Sequence, residues 1–377
     1  MRSPPLILIV DDNLSSLEIL EARLAASGYE VITATDGAAG LAMAKDRHPD
    51  LILLDIMMPK LDGIEVCRRL KEDARLPFMP IIMVTAKTDS KDIVAGLEAG
   101  SDEYLTKPVD HAALVARVQS MLRIKALQDT VQEQSAQLKR QLKTASGIQK
   151  LFWPQMPELA GGSHIWAVSR PAAYVGGDLY DVIALPDHSV LAYVADVSGK
   201  GVPAALIMAA LSTLIRSVAL RECAIDHLLE TVNNTFYDLA SVEGFFATIV
   251  LFRFWPADGR MHLVSAGHLP PVGIAGGGRK EIPVPKSMAI GVTPDIRYQK
   301  TELQLSGGES ILFFSDGVVE AENEKKELFG NERVLRHIAP AKRPPWGEGL
   351  LRAVDRWRGT SQVSDDITLL EIWRDWL

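Results

Sequence analysis

Residues 51–59 read LILLDIMMP, an apolar run that ends on one carboxylate, Asp55, and soon meets Pro59. A short apolar run bounded by turn residues predicts a buried strand. Burying an acid at the end of such a strand costs solvation free energy, which a paired group must offset. Such a position therefore suggests a partner or a chemical role for Asp55. The neighbouring segments indicate what would lie beside Asp55.

The first 120 residues alternate short apolar runs with segments of helical periodicity. The predicted strands are 6–10, 30–34, 51–55, 80–86 and 103–108, and the predicted helices are 15–28, 36–49, 63–73 and 89–101. Fully apolar strands that alternate with helices are typical of a parallel sheet covered on both faces. The pattern therefore predicts an α/β doubly wound fold with a five-stranded parallel sheet.

Polar residues recur at the carboxyl ends of these strands, where open parallel sheets bind their ligands. They are Asp11, Asp12, Asp55, Thr85 and Lys107. Carboxylates crowded at one edge favour a hard cation such as Mg²⁺, and an aspartate beside it can accept a phosphoryl group. The acidic pair alone is better explained as a cap of the following helix. The whole set, in register, favours a phosphoryl-transfer site.

These residues resemble the receiver domain of two-component response regulators, which has a flavodoxin-like fold, over 6–122. The resemblance implies that Asp55 is the phosphoacceptor and that a sensor histidine kinase is the phosphodonor. It also implies roles for Thr85 as the switch hydroxyl, Tyr104 as the switch aromatic and Lys107 as the lysine. The implied Mg²⁺ ligands are Asp11, Asp12, Asp55 and the Met57 carbonyl.

A helical linker is expected over 123–150, between domains at 1–122 and 151–377. Eight positions fit a heptad repeat: Ile124, Leu127, Val131, Gln134, Leu138, Gln141, Ala145 and Ile148. Three of them are polar or small, so a coiled coil would be weak. A solvated connecting helix is the alternative, and we favour a homodimer through the linker.

The second half predicts an α+β fold with antiparallel sheets. Its predicted strands are 164–171, 177–185, 190–197, 245–255, 260–267, 301–305, 310–317 and 365–373, with two helices at 203–220 and 225–242. The segment GIAGGGRKE, 273–281, is expected to be a flexible hairpin loop. Four acidic motifs, VGGDLYD, ADVSGKG, FFSDGVVEA and VSDDITLL, stand at predicted strand ends. One such motif is better explained as a turn, but four together favour two divalent cations that activate water for phosphoryl displacement.

These motifs are similar to the metal-dependent (PPM-type) protein phosphatases, in the branch of bacterial serine phosphatases that regulate sigma factors. The resemblance implies a two-sheet sandwich and two Mn²⁺ or Mg²⁺ held by Asp178, Asp196, Asp316 and Asp365, with Asp196 bridging and the Val197 carbonyl as a further ligand. It implies attack by a metal-bound hydroxide on a phosphorylated anti-sigma-factor antagonist. Asp366 is expected to support the last ligand, Asp181 is a weaker candidate, and His268 receives no catalytic role.

Composition narrows the remaining classes. The 377 residues carry 40 basic and 48 acidic side chains, a net charge of −8, which gives no basic footprint for nucleic acid. The two cysteines, Cys67 and Cys223, argue against a disulfide framework or a thiolate metal site. No uncharged run approaches the roughly 18 residues of a membrane helix, so we expect a cytosolic chain. The alternative function is an adaptor whose inactive phosphatase fold binds a partner under the control of Asp55.

Overall fold

The computed structural model describes residues 2–85, 90–222, 224–240, 243–275, 278–338 and 344–376, without the side chains of 90–93. The chain divides into two compact units, 1–139 and 140–377. The division falls inside one long helix. Each unit is described by itself below.

The first unit is the predicted doubly wound α/β fold. Its strands are β1 Leu6–Val10, β2 Glu30–Ala34, β3 Leu51–Asp55, β4 Ile81–Thr85 and β5 Glu103–Thr106, and its first helices are α1 Leu14–Ala26, α2 Gly37–Arg47, α3 Gly63–Glu72 and α4 Ser90–Glu98. The five strands are parallel, in the order β2-β1-β3-β4-β5. Two apolar clusters cover the two faces of the sheet, which is why β1, β3 and β4 are apolar throughout.

Local capping sets where three of these helices begin. Asn13, Asp36 and Asp62 accept hydrogen bonds from the backbone N–H groups three residues further on, as N-cap residues do. The cap of α1 is thus Asn13. Asp11 and Asp12 are therefore not needed as caps, and the alternative explanation of that acidic pair fails.

Helix α5, His111–Gln149, runs without a break through the predicted linker. Five of its heptad positions, Ile124, Leu127, Val131, Leu138 and Ile148, are exposed. A short 3-10 helix, Lys150–Phe152, follows it.

The second unit contains two antiparallel five-stranded sheets, as predicted. The first has the order β13-β10-β9-β8-β7 and the second β12-β11-β14-β15-β6. The strands are β6 Ser163–Arg170, β7 Leu179–Ala184, β8 Val190–Val197, β9 Ala247–Phe254, β10 Arg260–Ala266, β11 Val272–Ala275, β12 Gly278–Glu281, β13 Thr301–Gln304, β14 Ser310–Phe314 and β15 Ile367–Arg374. The helices are α6 Gly201–Ala219, α7 Ile225–Ala240, α8 Gly330–His337 and α9 Gly347–Arg358.

Alternation along the strands divides this unit into four layers. On β8, Val190, Ala192 and Val194 face the second sheet, whereas Leu191, Tyr193 and Ala195 pack with α6 and α7. On β14, Phe313 faces the first sheet and Phe314 packs with α8 and α9. Because strand side chains alternate between faces, each sheet supplies one side to the sandwich core and one to its helices.

The structure differs from the sequence prediction in two details of the second unit. In the segment expected to be a flexible hairpin loop, strands β11 and β12 pair and join the second sheet, and residues 276 and 277 lie outside the described residues. Helices α8 and α9 were not predicted, although α9 carries Leu350, Leu351 and Val354 at helical spacing. Cys67 is buried and free. Cys223 and the predicted element ends at 86, 89, 241 and 242 lie outside the described residues.

Helix α6 is unusually long and apolar. Among the described residues it is the one helix long and apolar enough to span a membrane by length and composition. One face of α6 packs on the sheet through residues such as Met208 and Leu211. Its Arg216 pairs with buried Asp181 at 2.7 Å. The apolar length of α6 is therefore explained by its packing in the core, where it also carries the ion pair of Arg216 with Asp181.

Candidate functional site

The carboxyl edge of the parallel sheet brings Asp11, Asp12 and Asp55 together. One oxygen of each carboxylate lies within 4.8 Å of the other two. Asp11 and Asp55 are buried, whereas Asp12 is exposed. Hard oxygen donors converging on one point, with one side open to water, suit Mg²⁺. The residues present therefore fit a bound cation.

Lys107 lies beside this acidic group. Its Nζ is 2.7 Å from Asp11 Oδ2 and 2.8 Å from Asp55 Oδ1. Burial works to lower the pKa of Lys107, but the two carboxylates outweigh burial and raise it. Burial raises the pKa of Asp55, Lys107 opposes that shift, and Asp11 and Asp12 add to it. Even with Lys107 beside it, the charge of Asp55 is costly, because burial and the two neighbouring carboxylates outweigh the ammonium.

The other receiver candidates lie around this edge. Thr85 is the buried last residue of β4, and its carbonyl accepts the Lys107 backbone N–H at 2.7 Å. Tyr104 lies on β5 and is 36% exposed. Met57 lies in the loop after β3, with its side chain exposed. Their roles as switch residues and metal ligand stay predictions.

In the second unit, four predicted ligands converge at one end of the sandwich. Asp178 precedes β7, Asp196 is the penultimate residue of β8, Asp316 follows β14, and Asp365 stands two residues before β15. Ser315 links the two sheets here, because its Oγ donates to Asp178 Oδ2 at 2.7 Å and accepts the Thr368 N–H. The acidic ends of four strands thus form one centre.

The carboxylates of this centre raise one another's pKa. Burial, followed by repulsion from Asp316 and Asp365, raises the pKa of Asp196 to about 7. Burial and Asp196 raise the pKa of Asp178 well above its usual value. Burial and Asp365 raise the pKa of Asp316. These crowded carboxylates resist ionisation when no cation is bound. Oxygen ligands suit Mn²⁺ and Mg²⁺, and a divalent cation would neutralise the negative charge of the cluster.

Asp366 supports this centre from behind. Its Oδ2 accepts the N–H groups of Gly177 and Asp178 at 2.8 and 3.3 Å, and its Oδ1 accepts that of Ala172 at 2.7 Å. A Cβ on Gly176 would overlap the Asp366 carboxylate, and one on Gly317 would overlap its carbonyl. The glycines of GGD and SDG therefore let Asp366 reach the loop that carries Asp178.

The Val197 carbonyl lies at the same point of the fold. A Cβ on Gly177 would overlap the Val197 carbonyl oxygen, so the loop before Asp178 runs directly against it. This places the carbonyl beside the acidic centre. The donor set of four carboxylates and one carbonyl fits divalent cations.

Lys200 is a cation of the ADVSGKG motif to which the sequence analysis assigned no role. Its Nζ lies 2.9 Å from Asp365 Oδ2 and donates to the Ser364 carbonyl. Among the described residues, the three carboxylates whose oxygens all lie within 4.8 Å of one another are those of Asp11, Asp12 and Asp55 in the receiver. No three of the described aspartates of the present centre meet that distance. Lys200 holds Asp365 on one side of the centre. The SGKG motif was the available signal.

Asp181 and His268 were not assigned as metal ligands, and their surroundings differ from those of the four aspartates. Asp181 faces the helix layer, where it is fully buried and pairs with Arg216. His268 is buried, and its Nδ1 lies 2.7 Å from Thr248 Oγ1. Burial lowers the pKa of His268 to about 4, so its imidazole is neutral at pH 7. It therefore cannot act as an imidazolium acid at neutral pH.

The metal-free protein is expected to lose stability between about pH 4 and pH 7. The pKa of Asp196 is about 7 in the folded state and roughly 3.9 in an unfolded chain. A raised folded-state pKa gives a stabilising contribution that is present below the unfolded pKa and is lost as pH rises through the folded one.

Thermal unfolding in a chelator at pH 5 and pH 8 measures this contribution. The melting temperature of wild type should fall by at least about 2 °C more than that of Asp196→Asn. Equal falls in the two proteins would show that Asp196 ionises freely in the folded state.

The two folds and their acidic edges define a receiver domain joined to a PP2C-type phosphatase domain. The family model described as Stage II sporulation protein E (SpoIIE) matches residues 186–375, just over half of the 377-residue chain. The chain therefore belongs to that family. The model for the response regulator receiver domain matches residues 7–119.

Individual proteins resemble each half separately. Response regulator PleD of Caulobacter vibrioides is 46% identical over 134 residues, which cover 36% of this chain and 30% of PleD. The SiaA-PP2C domain of Pseudomonas aeruginosa is 22% identical, with a TM-score of 0.54 over 64% of this chain and 98% of that domain, and shows the fold alone. The structure of the RsbU and RsbW domains of a Mycobacterium tuberculosis protein is 25% identical, with a TM-score of 0.51 over 59% of this chain and 62% of that one.

Proposed function

We propose that the chain is a response regulator whose phosphorylation on Asp55 controls a metal-dependent protein serine/threonine phosphatase. The observation that carries the proposal is the acidic centre of Asp178, Asp196, Asp316 and Asp365, assembled from four strand ends in a SpoIIE-family domain. All four carboxylates are present, which argues against an adaptor that has lost its metal ligands. The domains proposed are 1–122, 151–377 and the linker 123–150.

In the receiver, Asp55 is the proposed nucleophile. A carboxylate oxygen attacks the phosphorus of the donor, the bond to the donor's leaving group breaks, and an aspartyl phosphate forms. Lys107, already beside Asp55, would balance the charge of the phosphoryl oxygens, and the Thr85 hydroxyl would hydrogen-bond one of them. Mg²⁺ held by Asp11, Asp12, Asp55 and the Met57 carbonyl would lower the negative charge at this edge.

In the phosphatase, water is the proposed nucleophile. Its oxygen attacks the phosphorus of a seryl or threonyl phosphate, the ester P–O bond breaks, and the released alkoxide takes up the proton that the water loses, which gives the free hydroxyl and inorganic phosphate. Two divalent cations held by the four aspartates and the Val197 carbonyl would activate water and stabilise the phosphoryl charge. Asp366 and Ser315 keep Asp178 oriented, and Lys200 keeps a positive charge beside Asp365.

The partners follow from the family. A sensor histidine kinase is the proposed phosphodonor, and a phosphorylated anti-sigma-factor antagonist is the proposed substrate, in line with the RsbU likeness. The exposed apolar heptad positions of α5 support a homodimer through the linker. The net charge of −8 argues against direct binding to nucleic acid. We propose that the protein acts in the cytoplasm and does not bind the membrane.

Hydrolysis of p-nitrophenyl phosphate with Mn²⁺, with and without beryllofluoride, tests this proposal. Metal-dependent turnover that changes with beryllofluoride is the expected result. The direction of the change reports whether phosphorylation activates or inhibits. Absence of turnover in folded protein that binds Mn²⁺ would instead support the adaptor function.

A further inference from the structure

Gln149, the last residue of α5, makes a two-point contact with the loop that leads to Asp178. Its Nε2 donates to the Gly176 carbonyl at 2.7 Å, and its Oε1 accepts the Gly176 N–H at 3.2 Å. The side chain is only 6% exposed. A buried amide thus satisfies both backbone polar groups of one residue, as a neighbouring strand would.

This contact holds one side of a short loop whose other side is held by Asp366. Gly176 precedes Asp178 by two residues, and the N–H groups of Gly177 and Asp178 donate to Asp366. The Asp178 carboxylate in turn accepts the Ser315 hydroxyl. With its backbone held on both sides, the loop leaves Asp178 little freedom of position.

The chemistry of the amide makes Gln149 hard to replace. An ionised glutamate offers acceptors only, and leucine offers neither donor nor acceptor, so either leaves a buried backbone group of Gly176 unpaired. Gln149 is also where the linker helix ends. Through Gln149, a shift or rotation of this helix end would act on the loop of Asp178.

We infer that Gln149 is a positioning residue that couples the end of α5 to metal binding at Asp178. The inference rests on the proposed function, in which Asp178 holds a divalent cation. It assigns to one side chain the transmission between the linker helix and the phosphatase centre. Outer partners of metal ligands commonly change metal affinity by about 10- to 100-fold when they are removed.

Calorimetric titration of the full chain with Mn²⁺ alone tests the inference. Gln149→Leu should raise the Kd for Mn²⁺ by about 10-fold, and it should lower the metal-free melting temperature by several degrees because two buried backbone groups of Gly176 lose their partner. Activity at saturating Mn²⁺ should largely recover, because the chemical groups remain in place. Gln137→Leu, at an exposed position of the same helix outside the heptad set, is the matched control and should change neither quantity.

Two further readouts distinguish coupling from simple structural support. The activity change caused by beryllofluoride should shrink in Gln149→Leu at saturating Mn²⁺, and a purely structural residue would leave it unchanged. Gln149→Glu, which keeps the size and the acceptor, should also weaken Mn²⁺ binding, and it decides the matter should the leucine variant not fold. An unchanged Mn²⁺ affinity in a folded variant overturns the inference, whereas failure of wild type to bind Mn²⁺ or turn over overturns the proposed function.

Discussion

Asp196→Asn is expected to lower Mn²⁺-dependent hydrolysis of p-nitrophenyl phosphate by at least about 100-fold. Even outer partners of metal ligands cost about 10- to 100-fold when they are removed, and Asp196 is proposed to bridge both cations. The amide cannot carry the charge that two cations require between them. Steady-state rates measured across a Mn²⁺ titration, with wild type in parallel, give the result.

The control variant for this experiment is Asp258→Asn. Asp258 lies on the β9–β10 turn, where it pairs with Arg260 and has 49% of its side chain exposed. It should retain wild-type rates. Asp196→Asn itself should fold, because the substitution removes a buried charge that Asp316 and Asp365 repel. Wild-type turnover in Asp196→Asn would exclude Asp196 from the metal centre and contradict the proposed set of four ligands.

Asp55→Asn is expected to abolish phosphorylation and, with it, the whole response of the phosphatase to a phosphodonor. The amide is a poor nucleophile towards phosphorus, and the remaining carboxylates, Asp11 and Asp12, end a different strand. With acetyl phosphate, wild type should gain an acid-stable but base-labile phosphoryl group and change its rate of hydrolysis. In Asp55→Asn, intact mass spectrometry should show no added phosphoryl group, and the rate of hydrolysis should not change.

The matched receiver control is Asp62→Asn. Asp62 caps α3, with its carboxylate accepting the Glu65 N–H at 2.8 Å, and an asparagine can make the same cap. Phosphorylation and response should both persist. A phosphoryl group that still appears in Asp55→Asn would move the acceptor to another side chain, and a persistent kinetic response would uncouple regulation from Asp55.

The receiver edge could be predicted from the sequence because it depends on one rule of local order. Parallel strands run in the same direction, so residues that end them share one edge of the sheet. The apolar runs before Asp11 and Asp55 therefore indicated their proximity without any knowledge of side-chain contacts. The interpretation of Asp11 and Asp12 was ambiguous only until Asn13 proved to be the cap of α1.

The supporting contacts of the phosphatase centre were less accessible to the same reasoning. Ser315 and Lys200 stand in motifs that the sequence analysis quoted, and Gln149 stands in the predicted linker, yet their roles depend on partners 137, 165 and 27 positions away. In an antiparallel sandwich the ends of strands meet only after the sheet order is known. Composition carries no information about which hydroxyl or amide will face which loop.

Periodicity and apolar runs by themselves determined the two fold classes, most strand positions and the acidic ends of the strands, because these depend on neighbours within a few residues. Packing of distant segments determined the rest: that Asp181 pairs with Arg216 in the helix layer, that His268 is buried and neutral, and that Asp366 and Gln149 hold the loop of Asp178. A side chain's charge state and partners depend on burial and on groups brought near by the whole fold, and both arise only when the two sheets close on each other.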